Sequence, residues 1–214
     1  MTTMRAKLDA VLARSAIIPV LTIERVADAV PLARALVAGG VPVLEVTLRT
    51  AAGLEAAAAM IKAVPEAIVG IGTVLTPEDL SHASAIGARF ALSPGATPSL
   101  LEAAARGKIP FMPGVATASE VMAAMQHGFD TMKFFPANTA GGPTALKNLA
   151  GPFPSARFCP TGGVSDENAA SWLALGNVVA VGGSWLTPAA ELACGDWAAI
   201  TRRAARAVAL TTQP

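Results

Sequence analysis

The sequence predicts an α/β fold, a (β/α)8 TIM barrel with an extra N-terminal helix, and three observations predict it. Eight short apolar runs recur, their starts about 20–27 residues apart, enough for one strand and one helix each. The runs are apolar almost throughout rather than alternating, as expected of parallel strands packed under helices. The segments between them are rich in Ala and Leu. Several of these open with Thr-Pro or Thr-x-Ser/Glu and end at Gly, which are helix cap and stop signals.

Taken in order, residues 1–14 read as the extra helix. The strands follow as AIIPVLTI (16–23), VLEVTL (43–48), AIVGIGTVL (67–75), RFALSPG (89–95), IPFMPG (109–114), DTMKFFP (130–136), RFCPTGG (157–163) and NVVAVGGS (177–184). Helical segments such as DAVPLARALVAGG, AGLEAAAAMIKAV and TASEVMAAMQHG lie between them, and residues 188–212 form a closing helical region. An open doubly wound sheet is the alternative, but no G-x-G-x-x-G follows the first strand. No linker or composition break divides the chain, so residues 1–214 are expected to form a single domain.

Composition excludes several function classes. Sixteen basic and fifteen acidic residues leave a formal charge of +1, which gives no reason to expect nucleic acid or a membrane surface as partner. Charged residues make up only 14% of the chain, against about 25% in a typical soluble domain. Much of the chain is therefore expected to be buried between layers, with part of its surface covered by another subunit. Cys159 and Cys194 have no metal-ligand spacing and read as buried bystanders. The N-terminus lacks the order of a secretory signal, and no uncharged apolar segment reaches the ~18 residues of a membrane span, so a cytoplasmic location is expected.

In such a barrel the chemistry belongs at the C-terminal ends of the strands. Of the five lysines only Lys133 lies within a strand; Lys7, Lys62, Lys108 and Lys147 fall in helices or at their ends. If Met132 and Phe134 face the helices, alternation turns Lys133 and Phe135 into the barrel. Desolvation there disfavours an ammonium, and a neutral amine can attack a carbonyl to form a Schiff base. A lysine simply paired with a carboxylate is the other reading, and position alone leaves both open.

The second strand adds weight, since Glu45, Thr47 and Arg49 share one parity. Four strand residues span about 13 Å, too far for a direct Glu45–Arg49 pair unless the chain folds back. Separate roles are expected, Glu45 for proton transfer and Arg49 for gripping a carboxylate. Gly162–Gly163 and Gly182–Gly183–Ser184 end the last two strands, where such barrels bind phosphate through backbone N–H groups and a helix N-terminus. His82 and His127 lie in helical segments, so no metal site is expected.

With these residues in view, the sequence resembles the KDPG (2-dehydro-3-deoxy-6-phosphogluconate) aldolase / 4-hydroxy-2-oxoglutarate aldolase family along nearly its whole length. The blocks that carry the resemblance are LEVTLRT (44–50), IVGIGTVL (68–75), SPG (93–95), KFFPA (133–137), RFCPTGG (157–163) and GGSWL (182–186). The resemblance implies a metal-independent, cofactor-free class I aldolase of the Entner–Doudoroff pathway, acting on a small phosphorylated keto acid and assembled as a homotrimer. It implies Lys133 as the Schiff-base lysine and Glu45 as the acid/base, through a water. Arg49 would hold the pyruvate carboxylate with Thr73, the Pro94 region and Thr161, and Phe135 would pack over the three-carbon unit. Gly162, Gly163, Gly183 and Ser184 would take the phosphate. Three rivals stand beside this reading: an aldolase for the galactonate epimer, a phosphosugar isomerase or epimerase using Glu45 as base, and a phosphosugar-binding protein in which Lys133 is structural.

Overall fold

The computed structural model describes residues 3–211. Helix α1 (Met4–Leu12) comes first, its N-terminus capped by the Thr3 hydroxyl, which accepts from the Ala6 N–H. Strands and helices then alternate as β1 (Ile17–Leu21), α2 (Val26–Ala38), β2 (Val43–Thr47), α3 (Gly53–Ala63), β3 (Ile68–Gly72), α4 (Pro77–Ala85), β4 (Phe90–Leu92) and α5 (Pro98–Ala105). The alternation continues with β5 (Phe111–Met112), β6 (Gly114–Val115), α6 (Ala118–Gln126), β7 (Thr131–Phe134), α7 (Gly142–Leu149) and β8 (Arg157–Pro160). It ends with α8 (Ala169–Leu173), β9 (Val181–Gly183), α9 (Ala189–Cys194) and α10 (Trp197–Thr211).

Every strand pairing is parallel, in the orders β5-β4-β3-β2-β1-β9 and β6-β7-β8. The expected fifth strand is split at Pro113, which has no N–H for a ladder. Its carbonyl still accepts from the Lys133 N–H at 2.9 Å, and there the chain leaves β4 for β7. At the far edge two isolated bridges, Phe158↔Val178 and Thr161↔Gly182, tie β8 to the segment ending in β9. The result is a curled, mostly parallel sheet with helices on its outside.

Strand alternation sorts the apolar residues into two clusters. Ile17, Leu21, Leu44, Val46, Val69, Ile71, Met132 and Phe134 pack outward with the helices. Ile18, Val43, Phe90, Leu92, Met112, Cys159 and Ala180 pack inward, joined by Leu8, Val11 and Leu12 of α1. Helix α1 therefore lies against the inner cluster. Ion pairs hold it there: Arg5 bonds Asp130, and Arg157 at the start of β8 reaches Asp9 at 2.7 Å.

The Thr signals read from the sequence are caps. Thr76 and Thr117 form reciprocal capping boxes with Asp79 and Glu120, and Thr97 caps α5. One expectation is corrected. Cys159 is buried but Cys194 is exposed, because it ends α9, a short helix with no buried residue. No helix among the described residues is long and apolar enough to cross a membrane.

The Glu120 box has a pH signature. Burial pushes its carboxyl up, but hydrogen bonds from the Ala116 N–H and from the Thr117 hydroxyl and N–H outweigh it and hold the group below its ordinary value. A carboxyl lowered in the folded state adds stability above its unfolded pKa and loses it as pH falls through the folded one. Glu120→Gln should be less stable than the parent in urea at neutral pH, and the gap should close in acid. Thr117→Ala should lose about 1 kcal/mol at neutral pH.

Candidate active site

Glu45 and Lys133 sit on opposite parts of the curled sheet, at inward positions of β2 and β7. In register, Val20 and Gly70 flank Glu45, and Gly114 and Cys159 flank Lys133. The two side chains meet across the interior, with Lys133 Nζ donating to Glu45 Oε1 at 2.7 Å. Their side chains are 4% and 1% exposed, so the pair is fully desolvated. Glu45 Oε2 is also buried and has no hydrogen-bond partner among the described residues, an acceptor left open beside an amine. Phe135, half-buried on the face predicted for it, sets its ring 5.6 Å from Lys133 Nζ.

Cys159 stands beside this pair in the ladder and takes no part in it. Burial is the largest influence on its thiol, opposed by the charge of Lys133, and the thiol is pushed up to about 12. It stays protonated and inert at neutral pH.

Arg49 differs from the expectation built on parity. Strand β2 ends at Thr47, so Arg49 lies in the turn after it, exposed rather than inward. Among the described residues its guanidinium has no hydrogen bond or ion pair, with Glu45 or with any other group. The turn itself is anchored on both sides. The Thr47 hydroxyl donates to the Leu21 carbonyl at 2.9 Å and the Thr50 hydroxyl to the Ile23 carbonyl at 2.6 Å.

The remaining predicted residues line the same ends of the strands. Thr73 follows β3 at φ +58°, and it alone of the described non-glycine residues has a positive φ. A β-branched residue in the left-handed region is strained, and such strain gathers at functional sites. Pro94 follows β4, and its backbone comes so near Gly114 that a Cβ there would overlap the Pro94 carbonyl. The buried Ser93 hydroxyl accepts from the Gly114 N–H at 3.1 Å and fixes that approach. Ser93 was not selected from the sequence, although it opens the SPG block; only tertiary contact shows that its side chain faces β6.

Thr161 is buried at the end of β8, where it bridges to Gly182. Gly162 and Gly163 follow with φ +98° and +83°, which glycine adopts without a steric penalty. A Cβ on Gly162 would lie 3.4 Å from Phe135 Cε2, so this turn runs beside the Phe135 ring. Gly183 closes β9 and lies against the Trp185 ring, while Ser184 is exposed. A cavity of about 620 Å³ between the end of β1 and α9 includes Ser184, but not Lys133 or Glu45. Among the described residues no group of three or more His, Cys, Asp or Glu could hold a metal ion.

The fold and this pair define a class: an α/β protein whose curled parallel sheet buries one lysine against one glutamate below glycine-rich turns. The family model for KDPG and KHG aldolase matches residues 8–203, and the chain belongs to that family. It is 51% identical over 200 residues to a KHG/KDPG aldolase of Escherichia coli K12, covering 94% of both chains. A KDPG aldolase of Legionella pneumophila, solved with pyruvate captured as a covalent carbinolamine, superposes with TM-score 0.92 at 44% identity, covering 97% of this chain and 98% of that one. A 2-keto-3-deoxy-6-phosphogluconate aldolase of Zymomonas mobilis solved with 3-phosphoglycerate also gives TM-score 0.92, at 46% identity and 97% coverage of each chain.

Removing one partner of a buried ion pair costs about 3–5 kcal/mol, whereas replacing both by apolar groups is neutral or stabilising. Glu45→Leu alone should therefore lower the urea midpoint sharply. Glu45→Leu with Lys133→Met should restore it to the parent value or above, and a double variant as unstable as the single would contradict this energetic account.

Proposed function

We propose that this protein is a class I aldolase cleaving 2-dehydro-3-deoxy-6-phosphogluconate to pyruvate and glyceraldehyde 3-phosphate. By the same chemistry it splits 4-hydroxy-2-oxoglutarate into pyruvate and glyoxylate. The observation that carries the reading is the buried 2.7 Å contact of Lys133 Nζ with Glu45 Oε1. The Legionella relative's covalent carbinolamine with pyruvate supports it.

Glu45 accepts a proton from Lys133, and the freed amine lone pair attacks the C2 ketone to give a carbinolamine. Glu45 returns its proton to the carbinolamine hydroxyl, which leaves as water; the result is a protonated imine, an electron sink at C2, with Glu45 again a carboxylate. The C4 hydroxyl proton passes to Glu45 through a water, and the unpartnered Oε2 is the oxygen available to receive it. The C3–C4 bond then breaks, its electron pair entering the iminium, and glyceraldehyde 3-phosphate leaves. Protonation of the enamine at C3 and hydrolysis of the imine release pyruvate and regenerate the amine. Each positioned proton transfer is worth about 10²–10⁴-fold in rate.

Arg49, without a hydrogen-bond or ion-pair partner among the described residues, takes the pyruvate carboxylate with the Thr73, Pro94 and Thr161 segments. Phe135 covers the three-carbon unit, and the phosphate binds the turns at Gly162–Gly163 and Gly183–Ser184. Two features support a single (β/α)8 barrel under this site: the β8–β9 bridges and the unbroken chain from β5 to β6 through Pro113. Helix α1, packed against the inner cluster, is the extra N-terminal helix of that barrel. A cytoplasmic homotrimer serving the Entner–Doudoroff pathway completes the reading. The low charged fraction of 14% and the exposed side chains of Leu75 and Met122 support a covered face.

Borohydride with pyruvate should leave a reduced adduct on the peptide carrying Lys133; no adduct anywhere would sink the mechanism. Lys133→Met should lose both adduct and turnover. Arg49→Ala should need about 10-fold or more additional pyruvate for equal trapping, as expected for the loss of a charge-assisted hydrogen bond. Light scattering should return three times the chain mass, and a monomer would refute the trimer.

A further inference from the structure

Polar side chains entering the inside of a curled sheet need room that a neighbouring strand must leave. Strand β3 leaves it twice. Of its three inward positions, Ile68, Gly70 and Gly72, the last two are glycine, paired in register with Glu45 and Thr47 of β2. The Phe90 ring from β4 occupies the space a Cβ on Gly70 would take. Glu45 leans along its strand into the space over Gly72. A Cβ on Gly72 would overlap Glu45 Oε1 and lie 2.6 Å from Glu45 Cγ and 2.7 Å from Cδ.

The conflict could not be relieved by turning the end of the side chain. Glu45 is 1% exposed, and its Oε1 is held by Lys133 at 2.7 Å. With Cγ and Cδ also in contact, the whole side chain would have to shift. Backbone conformation does not explain the glycine, because Gly72 is not among the described residues with positive φ. Alanine would suit the strand better than glycine at this position. Space alone requires the glycine.

We propose that Gly72 is a positioning residue for the reaction. Its missing side chain lets the Glu45 carboxylate lie against β3, with Oε1 on Lys133 and Oε2 open for the substrate's proton. The inference rests on the proton-transfer role proposed for Glu45. A displacement of about 1 Å in a reacting group costs on the order of 10²-fold in rate, and Gly72→Ala imposes a displacement of that size.

The test is a cycle of variants read by kinetics and by thermal unfolding. Gly72→Ala should lower kcat about 10²-fold with little change in KM. Borohydride should still trap pyruvate on Lys133, while exchange of the pyruvate methyl protons with D2O slows in step with kcat. In a background of Glu45→Ala with Lys133→Met, where the carboxylate is gone and no ammonium is orphaned, adding Gly72→Ala should leave the melting temperature unchanged. Should Gly72→Ala alone fail to fold, that triple variant still decides the matter. Destabilisation by alanine at 72 regardless of the residue at 45 overturns the inference, as does a Gly72→Ala enzyme with wild-type kcat. Full turnover by Glu45→Ala would be a separate failure, removing the proton role of Glu45 and the inference with it.

Discussion

A hydrogen bond of 2.7 Å between a desolvated ammonium and a desolvated carboxylate sets the terms for the rest of this structure. Neither charge can be withdrawn from water cheaply, and their attraction offsets the loss only while the geometry holds. The geometry needs two strands on opposite parts of one curled sheet, each turning a side chain inward at a matching height. It also needs an interior that is otherwise apolar, which Ile18, Val43, Phe90, Leu92 and Met112 supply. Water has to be kept out from below. Helix α1 contributes Leu8, Val11 and Leu12 to that inner cluster, held by the Arg5–Asp130 and Arg157–Asp9 ion pairs.

The side of the pair toward the strand ends is built differently. The turns after the strands use residues whose backbones other positions would not tolerate: Thr73 at φ +58°, and Gly162 and Gly163 at φ +98° and +83°. The glycines adopt these angles without penalty, but the strain at Thr73 persists only where the surroundings hold it. Here Ser93 fixes Pro94 to Gly114, and the Thr161–Gly182 bridge ties β8 to β9. Cys159 shows how selective the chemistry is. It lies next to Lys133 in the ladder, yet burial keeps its thiol protonated, which leaves it out of the nucleophilic role proposed for the amine.

Much of the fold was legible in the sequence because it follows from local patterns. The apolar runs became strands, and Thr76, Thr97 and Thr117 became caps. Parity placed Lys133 and Phe135 inward and Met132 and Phe134 against the helices. The same rule misplaced Arg49, because alternation holds only within a strand and β2 ends at Thr47. Pro113 splits the fifth strand because it has no N–H for the ladder, and Cys194 is exposed because α9 buries none of its residues. Two readings left open by the sequence, a catalytic lysine and a lysine paired with a carboxylate, turned out to be compatible. The pairing exists, and it is the feature on which the proposed chemistry rests.

The sequence by itself determined the alternation of elements, the inward parity of Glu45 and Lys133, and the family, since each rests on neighbours in the chain or on ordered blocks of residues. Only the tertiary structure decided that these two residues, 88 positions apart, share a proton-bearing contact. It alone decided that one carboxylate oxygen is left without a partner among the described residues, and that the carboxylate fills the space a Cβ on Gly72 would take. The reason is physical. Periodicity fixes which face a side chain takes, but height, tilt and free volume inside a curled sheet depend on the register of strands far apart in the chain.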